Sequence, residues 1–172
     1  MTDSRVPPLA LVILSGLPGV GKTTIARELA AALSAVHVRI DSIEQALRNA
    51  GSTVEDHGYR VAYAVAADNL RLGRTVIADC VNPWPLTRRE WQSVASRTAV
   101  RAVSVELVCS DVEEHKRRVE SRSADIAQHR LPTWSEVMAH DYRPWDSDRL
   151  VIDTARLDVP QCVQAIVSAI AS

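Results

Sequence analysis

The stretch GLPGVGKTT, residues 16–24, decides the fold, and it directly follows the apolar run LALVILS of residues 9–15. Its glycines, lysine and threonine fit the pattern G-x-x-x-x-G-K-[ST], in which a glycine-rich loop joins a buried strand to a helix. Glycines let backbone N–H groups turn onto a phosphate without a Cβ in the way, and the helix N-terminus adds its positive dipole end. The stretch therefore predicts a phosphate-binding loop.

The residues of this loop have separate predicted contacts with a nucleoside triphosphate, most simply ATP. We expect Lys22 to reach the β- and γ-phosphates, Thr23 to offer its hydroxyl to Mg²⁺, and Thr24 to hydrogen-bond the α-phosphate. Lysine occurs only at Lys22 and Lys116, so a lysine in the loop is informative. The predicted nucleotide contacts in the loop are Gly16, Leu17, Pro18, Gly19, Val20, Gly21, Lys22, Thr23 and Thr24. The motif alone does not separate a kinase from a switch or a motor.

Length and composition are those of an ordinary globular protein. The 172 residues suffice for one domain with a full core, so we expect a single domain over residues 1–172. The net formal charge of −1 argues against a general field that attracts nucleic acid or an anionic membrane. The N-terminal apolar run is too short for a membrane span and lacks a signal-peptide cleavage pattern. We expect a cytoplasmic protein, either a monomer or a homodimer.

Apolar runs alternate with amphipathic segments along the whole chain, which predicts strands separated by helices. The predicted strands are residues 9–15, 35–41, 75–81, 102–110 and 149–155. The predicted helices are residues 23–34, 42–51, 59–72, 87–99, 111–122, 131–138 and 159–172, with capping boxes at Ser42, Thr87 and Thr133. Continuous apolar strands between helices favour a doubly wound parallel sheet, a three-layer α/β/α fold.

Two aspartates stand at predicted strand ends, the edge of an open parallel sheet where ligands lie. Asp41 follows the second strand, and it can take or orient the proton of an acceptor hydroxyl, or simply cap the next helix. Asp79 ends the third strand, and it can hold Mg²⁺ through water, bind substrate, or serve as a structural turn residue. The predicted metal ligands are therefore Thr23 and Asp79.

The segment NPWPLTR, residues 82–88, comes next and is stiffened by two prolines. Trp84 is a candidate wall of a substrate pocket, with a core or lid anchor as the alternative. Arg88 is a candidate contact to an anionic group, with a solvated helix face as the alternative. The full set of predicted substrate contacts is Asp41, Asp79, Asn82, Trp84 and Arg88.

A charged segment near residue 120 and the last strand supply the remaining candidates. Arg118 and Arg122 are four residues apart, so on a helix they share one face and can together neutralise charge on a transferred γ-phosphoryl group. The alternative is a surface helix in which Glu114 and other acidic residues pair with these arginines. Thr154, at the end of the last strand, lies near the expected position of an adenine, although a capping role is equally open.

Together these residues resemble the small P-loop kinases, in particular the group that contains phage-type polynucleotide 5′-kinase, zeta toxin and chloramphenicol phosphotransferase. The resemblance spans about residues 9–155, and no N-K-x-D guanine signature is present. It implies a five-stranded parallel sheet of order 2-3-1-4-5 with a helical lid at about residues 118–136. It also places Asp41 where that group has the base that activates the acceptor.

Two further segments match that group. DCVNPWPLTR resembles its D-x-x-N pattern with a following arginine, which falls on Asp79, Asn82 and Arg88. Two lid arginines four apart fall on Arg118 and Arg122, and the resemblance favours Arg122 as the phosphoryl contact. The segments PWP and DYRPW are not general features of the group, so we expect them to set a private substrate specificity.

The sequence thus predicts an ATP-dependent phosphotransferase that moves the γ-phosphoryl group of Mg-ATP to a hydroxyl of a small molecule. The predicted catalytic residues are Lys22, Asp41, Arg118 and Arg122, and Thr154 joins the loop in nucleotide binding. One alternative is a polynucleotide or nucleoside 5′-hydroxyl kinase, which the net charge of −1 disfavours because it gives no basic channel. The other is a nucleotide-binding regulatory ATPase without a small-molecule acceptor.

Overall fold

The computed structural model describes residues 8–172; part of the N-terminal segment that we weighed as a signal peptide lies outside them. Its strands are β1 (Ala10–Ser15), β2 (Val36–Arg39), β3 (Val76–Asp79), β4 (Arg101–Val108) and β5 (Leu150–Asp153). Its helices are α1 (Lys22–Leu33), α2 (Ile40–Asn49), α3 (His57–Arg71), α4 (Pro85–Arg97), α5 (Val112–Ser121), α6 (Trp134–Met138) and α7 (Val159–Ala171).

The five strands form one parallel sheet in the order β2-β3-β1-β4-β5, which confirms the predicted fold and strand order. β1 lies in the middle, and all six of its residues are buried. The register pairs Leu14 of β1 with Asp79 of β3, and Arg39 of β2 with the same Asp79. The ends of β1, β2 and β3 therefore meet at one edge of the sheet, where the phosphate loop begins.

Alternate side chains of β1 enter two separate cores, as the two-residue period of a strand requires. Val12 and Leu14 pack with α1 and α7 on one face, whereas Leu11 and Ile13 pack with α3 and α4 on the other. The largest side chain of the second core, Trp91, is fully buried. Two helical layers thus enclose the sheet, and within residues 8–172 no helix combines the length and hydropathy needed to cross a bilayer.

Two predicted helix starts are wrong. α2 begins at Ile40 with Arg39 as its N-cap and no capping side chain, so the predicted box at Ser42 does not form. Asp41 consequently lies in the first turn of α2, where a negative charge suits the helix dipole. α4 begins at Pro85, whose fixed φ favours the first helical position, and the hydroxyl of Thr87 donates to the Trp84 carbonyl instead of capping. The box at Thr133 is confirmed.

Candidate active site

The phosphate loop between β1 and α1 depends on glycine at two crowded positions. Gly16 has φ +139° and Gly19 has φ +88°, and both values are strained for any other residue. A Cβ on Gly16 would stand 2.3 Å from the Leu107 carbonyl oxygen, and one on Gly19 would stand 2.5 Å from Cγ2 of Val119. The loop is therefore packed tightly between β4 and α5, which fixes the direction of its backbone N–H groups.

Lys22 lies at the first position of α1, and its ammonium group is folded back onto the loop. Nζ donates to the carbonyl oxygens of Gly16 at 2.7 Å and Leu17 at 2.9 Å. Burial lowers the pKa of the Lys22 ammonium, and the charges of Asp79 and Asp41 oppose that effect. The N-cap Gly21 offers no side-chain acceptor to the first turn of α1. A half-buried cation beside uncapped N–H groups is a donor set that fits a polyphosphate.

Asp79 is buried at the end of β3, next to the start of α1. Its Oδ2 lies 3.1 Å from Nε2 of His37 and 3.9 Å from Nε of Arg39. Burial alone would raise the pKa of the Asp79 carboxyl, but hydrogen bonds from His37 and Thr23 and the charge of Lys22 outweigh it and lower the pKa. Asp79 thus favours the ionised form, and with the Thr23 hydroxyl it presents the hard oxygen donors that fit Mg²⁺.

His37 is a member of this cluster that sequence reasoning missed. It lies on β2, one strand away from Asp79, and the pair is separated by 42 positions in the chain. The only signal was a polar residue inside the run VHVR, which is equally typical of a strand at the edge of a sheet.

The charges of Asp41 and Arg122 influence each other. Asp41 is half-exposed, and its Oδ2 lies 3.9 Å from Nη2 of Arg39. Arg122 is the C-cap residue of α5, and its Nε is buried without a hydrogen-bond partner among the residues described. Burial lowers the pKa of Arg122 and the charge of Asp41 raises it, so the two groups are within electrostatic reach. The charges of Asp41, Asp79 and Arg122 all act on Lys22, so the four groups belong to one electrostatic cluster.

Arg118 has its hydrogen-bond partners outside that cluster. Its Nε donates to Glu114 at 2.7 Å, and its two Nη atoms donate to the Thr154 hydroxyl at 2.9 Å and the Thr154 carbonyl at 3.0 Å. Arg122 is the C-cap of α5, which ends at Ser121, and its extended ψ redirects the chain only after this residue. The two arginines differ in their partners, because Arg118 is bonded to Glu114 and Thr154 whereas the Nε of Arg122 has no partner among the residues described. The expectation that both neutralise one phosphoryl group therefore holds for Arg122 alone in this conformation.

Thr154, just after β5, connects the last strand to the loop. Its Oγ1 lies 3.0 Å from the Val20 carbonyl oxygen and 3.1 Å from the Val108 carbonyl oxygen. The same hydroxyl accepts the hydrogen bond from Arg118. Thr154 and Arg118 therefore link α5, β5 and the side of the loop opposite Asp41.

A cleft of about 810 Å³ opens beside Asp41, between α2, α3 and the start of α4. Trp84 is 46% exposed on its wall, and the indole Nε1 donates to Asp141 at 3.1 Å. The residues that line the cleft are Ile40, Asp41, Glu44, Glu55, Asp56, Tyr59, Arg60, Tyr63, Ala64, Val81, Pro83, Trp84, Leu86, Thr87, Glu90, Arg97 and His140. Of the five predicted substrate contacts, Asp41 and Trp84 are in this set, whereas Asp79, Asn82 and Arg88 are not.

Arg88 is buried below the cleft, where all its contacts are internal. Its guanidinium donates to four carbonyl oxygens at 2.7–3.1 Å, and its Cζ lies 4.2 Å from the centre of the Trp145 ring. The four acceptors are Asn82, Pro83, Arg143 and Pro144. Arg88 thus joins the start of α4 to residues 143–145, and neither sequence alternative, an anion contact or a solvated face, anticipated this placement.

Asn82 is also buried and internally bonded. Its φ of +51° lies in the left-handed region, and its Nδ2 donates to the Ser15 hydroxyl at 3.0 Å. Its backbone N–H donates to the Tyr59 hydroxyl at 2.9 Å. Asn82 therefore holds the end of β3 against β1 and α3 and leaves the cleft wall to its neighbours.

Asp125 is a second residue that the sequence did not reveal. It lies in the loop after α5 and accepts hydrogen bonds from Arg39 at 2.8 and 3.1 Å, and another from Arg27. These bonds hold the pKa of Asp125 well below its usual range. The loop that follows Arg122 is thereby attached to β2 and α1.

Comparison with known proteins identifies a family and a fold. A family model described as an AAA domain matches residues 11–140. Among curated protein sequences, no significant match to this chain is found.

Solved structures with the same fold are numerous. APS kinase CysC of Mycobacterium tuberculosis, in complex with AMPPNP and APS, has a TM-score of 0.71 at 16% identity, covering 96% of this chain and 100% of that one. A gluconokinase of Sinorhizobium meliloti has a TM-score of 0.64 at 17% identity, with coverages of 97% and 93%. Chaetomium thermophilum Kti12, in complex with ADP-AlF3, has a TM-score of 0.67 at 22% identity, with coverages of 94% and 100%. At these identities the likeness shows the fold.

Proposed function

The chain belongs to the AAA domain family, and from that premise we propose that it is a small P-loop kinase that transfers the γ-phosphoryl group of ATP to a hydroxyl of a small molecule. The observation that carries the proposal is the meeting of two features at one point. Asp41 lines the 810 Å³ cleft, and the charges of Asp41 and Arg122 both act on the Lys22 ammonium of the phosphate loop, so the loop and the cleft meet at Asp41. A switch ATPase needs the loop and has no use for the cleft.

The donor side fits ATP with Mg²⁺. Thr23 and Asp79 would hold the metal ion, which neutralises phosphate charge and orients the phosphate chain when it is bound. Similar folds support this choice, because APS kinase CysC was solved with AMPPNP and Kti12 with ADP-AlF3. In this proposal Thr154 and Arg118 border the base end of the nucleotide, which is supported by the hydrogen bonds that join Arg118 to Thr154 and Thr154 to the Val20 carbonyl of the loop.

On the acceptor side, Asp41 takes the proton of the acceptor hydroxyl as its oxygen forms the new bond to phosphorus and the bond to the departing ADP breaks. Lys22 and Arg122 stabilise the negative charge of the phosphoryl group in the transition state of transfer. The Lys22 ammonium leaves the carbonyl oxygens of Gly16 and Leu17 to do so, and the unpartnered Nε of Arg122 is free for the same purpose. Catalysis on this account is mainly positioning and electrostatics.

Residues 118–136 serve as the lid in this proposal, and the domain extends over residues 1–172. The lid carries Arg122 toward Asp41, and its loop rests on β2 and α1 through Asp125. Closure over ATP excludes water, which would otherwise accept the phosphoryl group. The reaction takes place in the cytoplasm, where ATP and Mg²⁺ are abundant.

The test is transfer of labelled phosphate from γ-labelled ATP to a panel of sugars, nucleosides, amino sugars and 5′-hydroxyl oligonucleotides. Asp41→Asn should reduce transfer by about 10²–10⁴-fold, the usual contribution of a general base, with unchanged ATP affinity. Asp68→Asn, an exposed aspartate of α3 outside the cleft, is the matched control and should retain activity. An ATPase that needs no acceptor and ignores Asp41→Asn would instead identify a regulatory ATPase.

A further inference from the structure

The volume of the cleft beside Asp41 indicates how large an acceptor it can hold. Its volume of about 810 Å³ is in the upper part of the range of small-molecule sites, which is about 300–1,000 Å³. A monosaccharide would fill only part of it. The cleft therefore has room for an acceptor larger than one sugar ring.

Three aromatic side chains, those of Tyr59, Tyr63 and Trp84, line the cleft. The Tyr59 hydroxyl accepts from the backbone of Asn82, and the Tyr63 hydroxyl lies 3.4 Å from the Thr87 carbonyl oxygen. The Trp84 Nε1–H donates to Asp141. The Tyr59 and Tyr63 ring centroids lie 6.0 Å apart, so the two rings form one aromatic patch of the lining. Aromatic rings attract cations over their faces.

The charged groups of the cleft are mostly negative. Its lining has two arginines, Arg60 and Arg97, and five carboxylates, Asp41, Glu44, Glu55, Asp56 and Glu90. One arginine is already paired within the cleft, because Arg60 Nε lies 3.3 Å from Asp56. Among residues 8–172, neither Glu55 nor Glu90 forms an ion pair within 4.0 Å. Glu44 is paired with Arg48 at 3.1 Å and Asp41 lies 3.9 Å from Arg39, and both arginines lie outside the lining of the cleft. Among the described residues, the lining groups without an ion pair are therefore two carboxylates, Glu55 and Glu90, and one guanidinium, Arg97.

Glu44 is the carboxylate best placed to act together with Asp41. The two are three residues apart on α2, so they lie on one face of the helix. Gly58 of α3 leaves the room that Glu44 occupies, since a Cβ there would stand 2.5 Å from Glu44 Cγ. Burial raises the pKa of Glu44, although Arg48 opposes it, and an ammonium group beside the carboxylate would oppose it further.

We infer that the acceptor is a cationic, amine-bearing polyol, such as an oligosaccharide of amino sugars, and that Glu44 and Glu90 select it by charge. The inference rests on the proposed kinase function and narrows its substrate class. The hydroxyl is presented to Asp41, and the ammonium groups lie along the carboxylates and ring faces. Sugar acids and oligonucleotide 5′-ends are disfavoured, because they would bring negative charge against the same carboxylates.

The experiment compares a charged amine with its neutral acetylated form, using the full chain and a non-hydrolysable ATP analogue, and varies salt to isolate the effect of charge. A glucosamine disaccharide with free amines is measured by calorimetry against its N-acetylated form, and both are then tested with γ-labelled ATP. We expect the free amine to bind at least about tenfold more tightly, equivalent to about 1.4 kcal/mol, and to lose that advantage as salt rises. Equal or tighter binding of the N-acetylated form overturns the inference, as does failure of the free amine to bind.

Two variants assign the selectivity to the cleft. Glu44→Gln and Glu90→Gln keep the side-chain shape and should each weaken binding of the free amine several-fold, without changing the affinity for the N-acetylated form. Glu28→Gln, on an exposed position of α1 outside the cleft, is the matched control. If the two variants behave like this control, the inference is wrong.

The outcomes also separate this inference from the proposed function. Phosphate transfer to neutral or anionic acceptors, with no preference for amines, keeps the kinase and overturns the charge selection. Tight, charge-dependent binding of the free amine without any phosphate transfer keeps the charge selection and contradicts the kinase.

Discussion

The two halves of the candidate site are built from different materials. The proposed nucleotide half is nine consecutive residues, 16–24, whose backbone groups and single lysine would contact the phosphates. The acceptor half is a cleft whose walls come from α2, α3, the start of α4 and residue 140. Backbone geometry recognises a phosphate in any protein that has the loop, whereas side chains collected from distant segments distinguish one acceptor from another. Specificity therefore depends on the half that has no motif.

The largest expected effect breaks the nucleotide half alone. Lys22→Ala removes the cation that faces the phosphates, so ATP turnover should fall by about 10³-fold or more, similar to the loss of other charge-stabilising groups. Lys116→Ala, which removes the other lysine, should leave turnover unchanged. Labelled-phosphate release measures both, and a Lys22→Ala protein with near-normal turnover would contradict the role of the loop.

The contrast between the halves also explains what the sequence could predict. The sequence predicts the loop because phosphate binding requires fixed residues at fixed spacing. The strand order followed from the family resemblance that this motif supports, and the sheet has that order. The start of α2 at Ile40 was not predictable from the sequence. Asp41 and Ser42 both have the properties of an N-cap residue, yet the N-cap is Arg39, which has no capping side chain. The different roles of Arg118 and Arg122 were not predictable either, because they depend on the contact of Arg118 with Thr154, which is 36 positions away in the chain.

Arg88 shows why the acceptor half resists prediction. Its acceptors include the carbonyl oxygens of Arg143 and Pro144, more than fifty residues away, and no side-chain pattern encodes the position of a carbonyl group. The segment DYRPW was recognised as unusual in the sequence, but its contact with NPWPLTR was not. Asp125 is similar, because its pairing with Arg39 spans 86 positions.

The next largest effect is expected from Arg88→Lys, which should impair the acceptor half of the site. Arg88→Lys leaves a buried charge but loses the planar fork that serves four carbonyl groups, so the free energy of unfolding should fall by about 3 kcal/mol. The KM for the acceptor should rise because Trp84 and His140 lose their support, while the affinity for ATP should change little. Chemical denaturation and separate titrations of the two substrates measure these effects.

Arg89→Lys is the matched control for Arg88→Lys, since Arg89 is exposed on the same helix. It should change neither stability nor KM. Equal loss of ATP and acceptor affinity in Arg88→Lys would show that the two halves are not separable.

A smaller effect is expected from alanine substitutions in the phosphate loop, and it tests whether α5 constrains the loop. Gly19→Ala meets both a positive φ and the Val119 side chain at 2.5 Å, whereas Gly21→Ala has a similar φ of +97° and no atom within 4 Å of its Cβ. Both variants share a backbone cost of about 1–2 kcal/mol, and only Gly19→Ala adds about 1–3 kcal/mol of overpacking. Denaturation without nucleotide measures the difference. Equal losses would show that α5 does not constrain the loop.

The smallest effect concerns Asp125, which attaches the lid loop to β2 and α1. Asp125→Asn keeps the shape but loses the charge that Arg39 and Arg27 share, and because Asp125 is 40% exposed the cost should be below about 1 kcal/mol. The folded-state pKa is depressed, so this contribution is full at neutral pH and disappears as pH falls below the unfolded value of about 3.9. The stability difference between wild type and Asp125→Asn should therefore shrink toward zero in acid. Asp146→Asn, an exposed aspartate beyond the lid, should show no pH-dependent difference of this kind, and a difference that grew in acid would rule out Asp125 as the tie between lid and sheet.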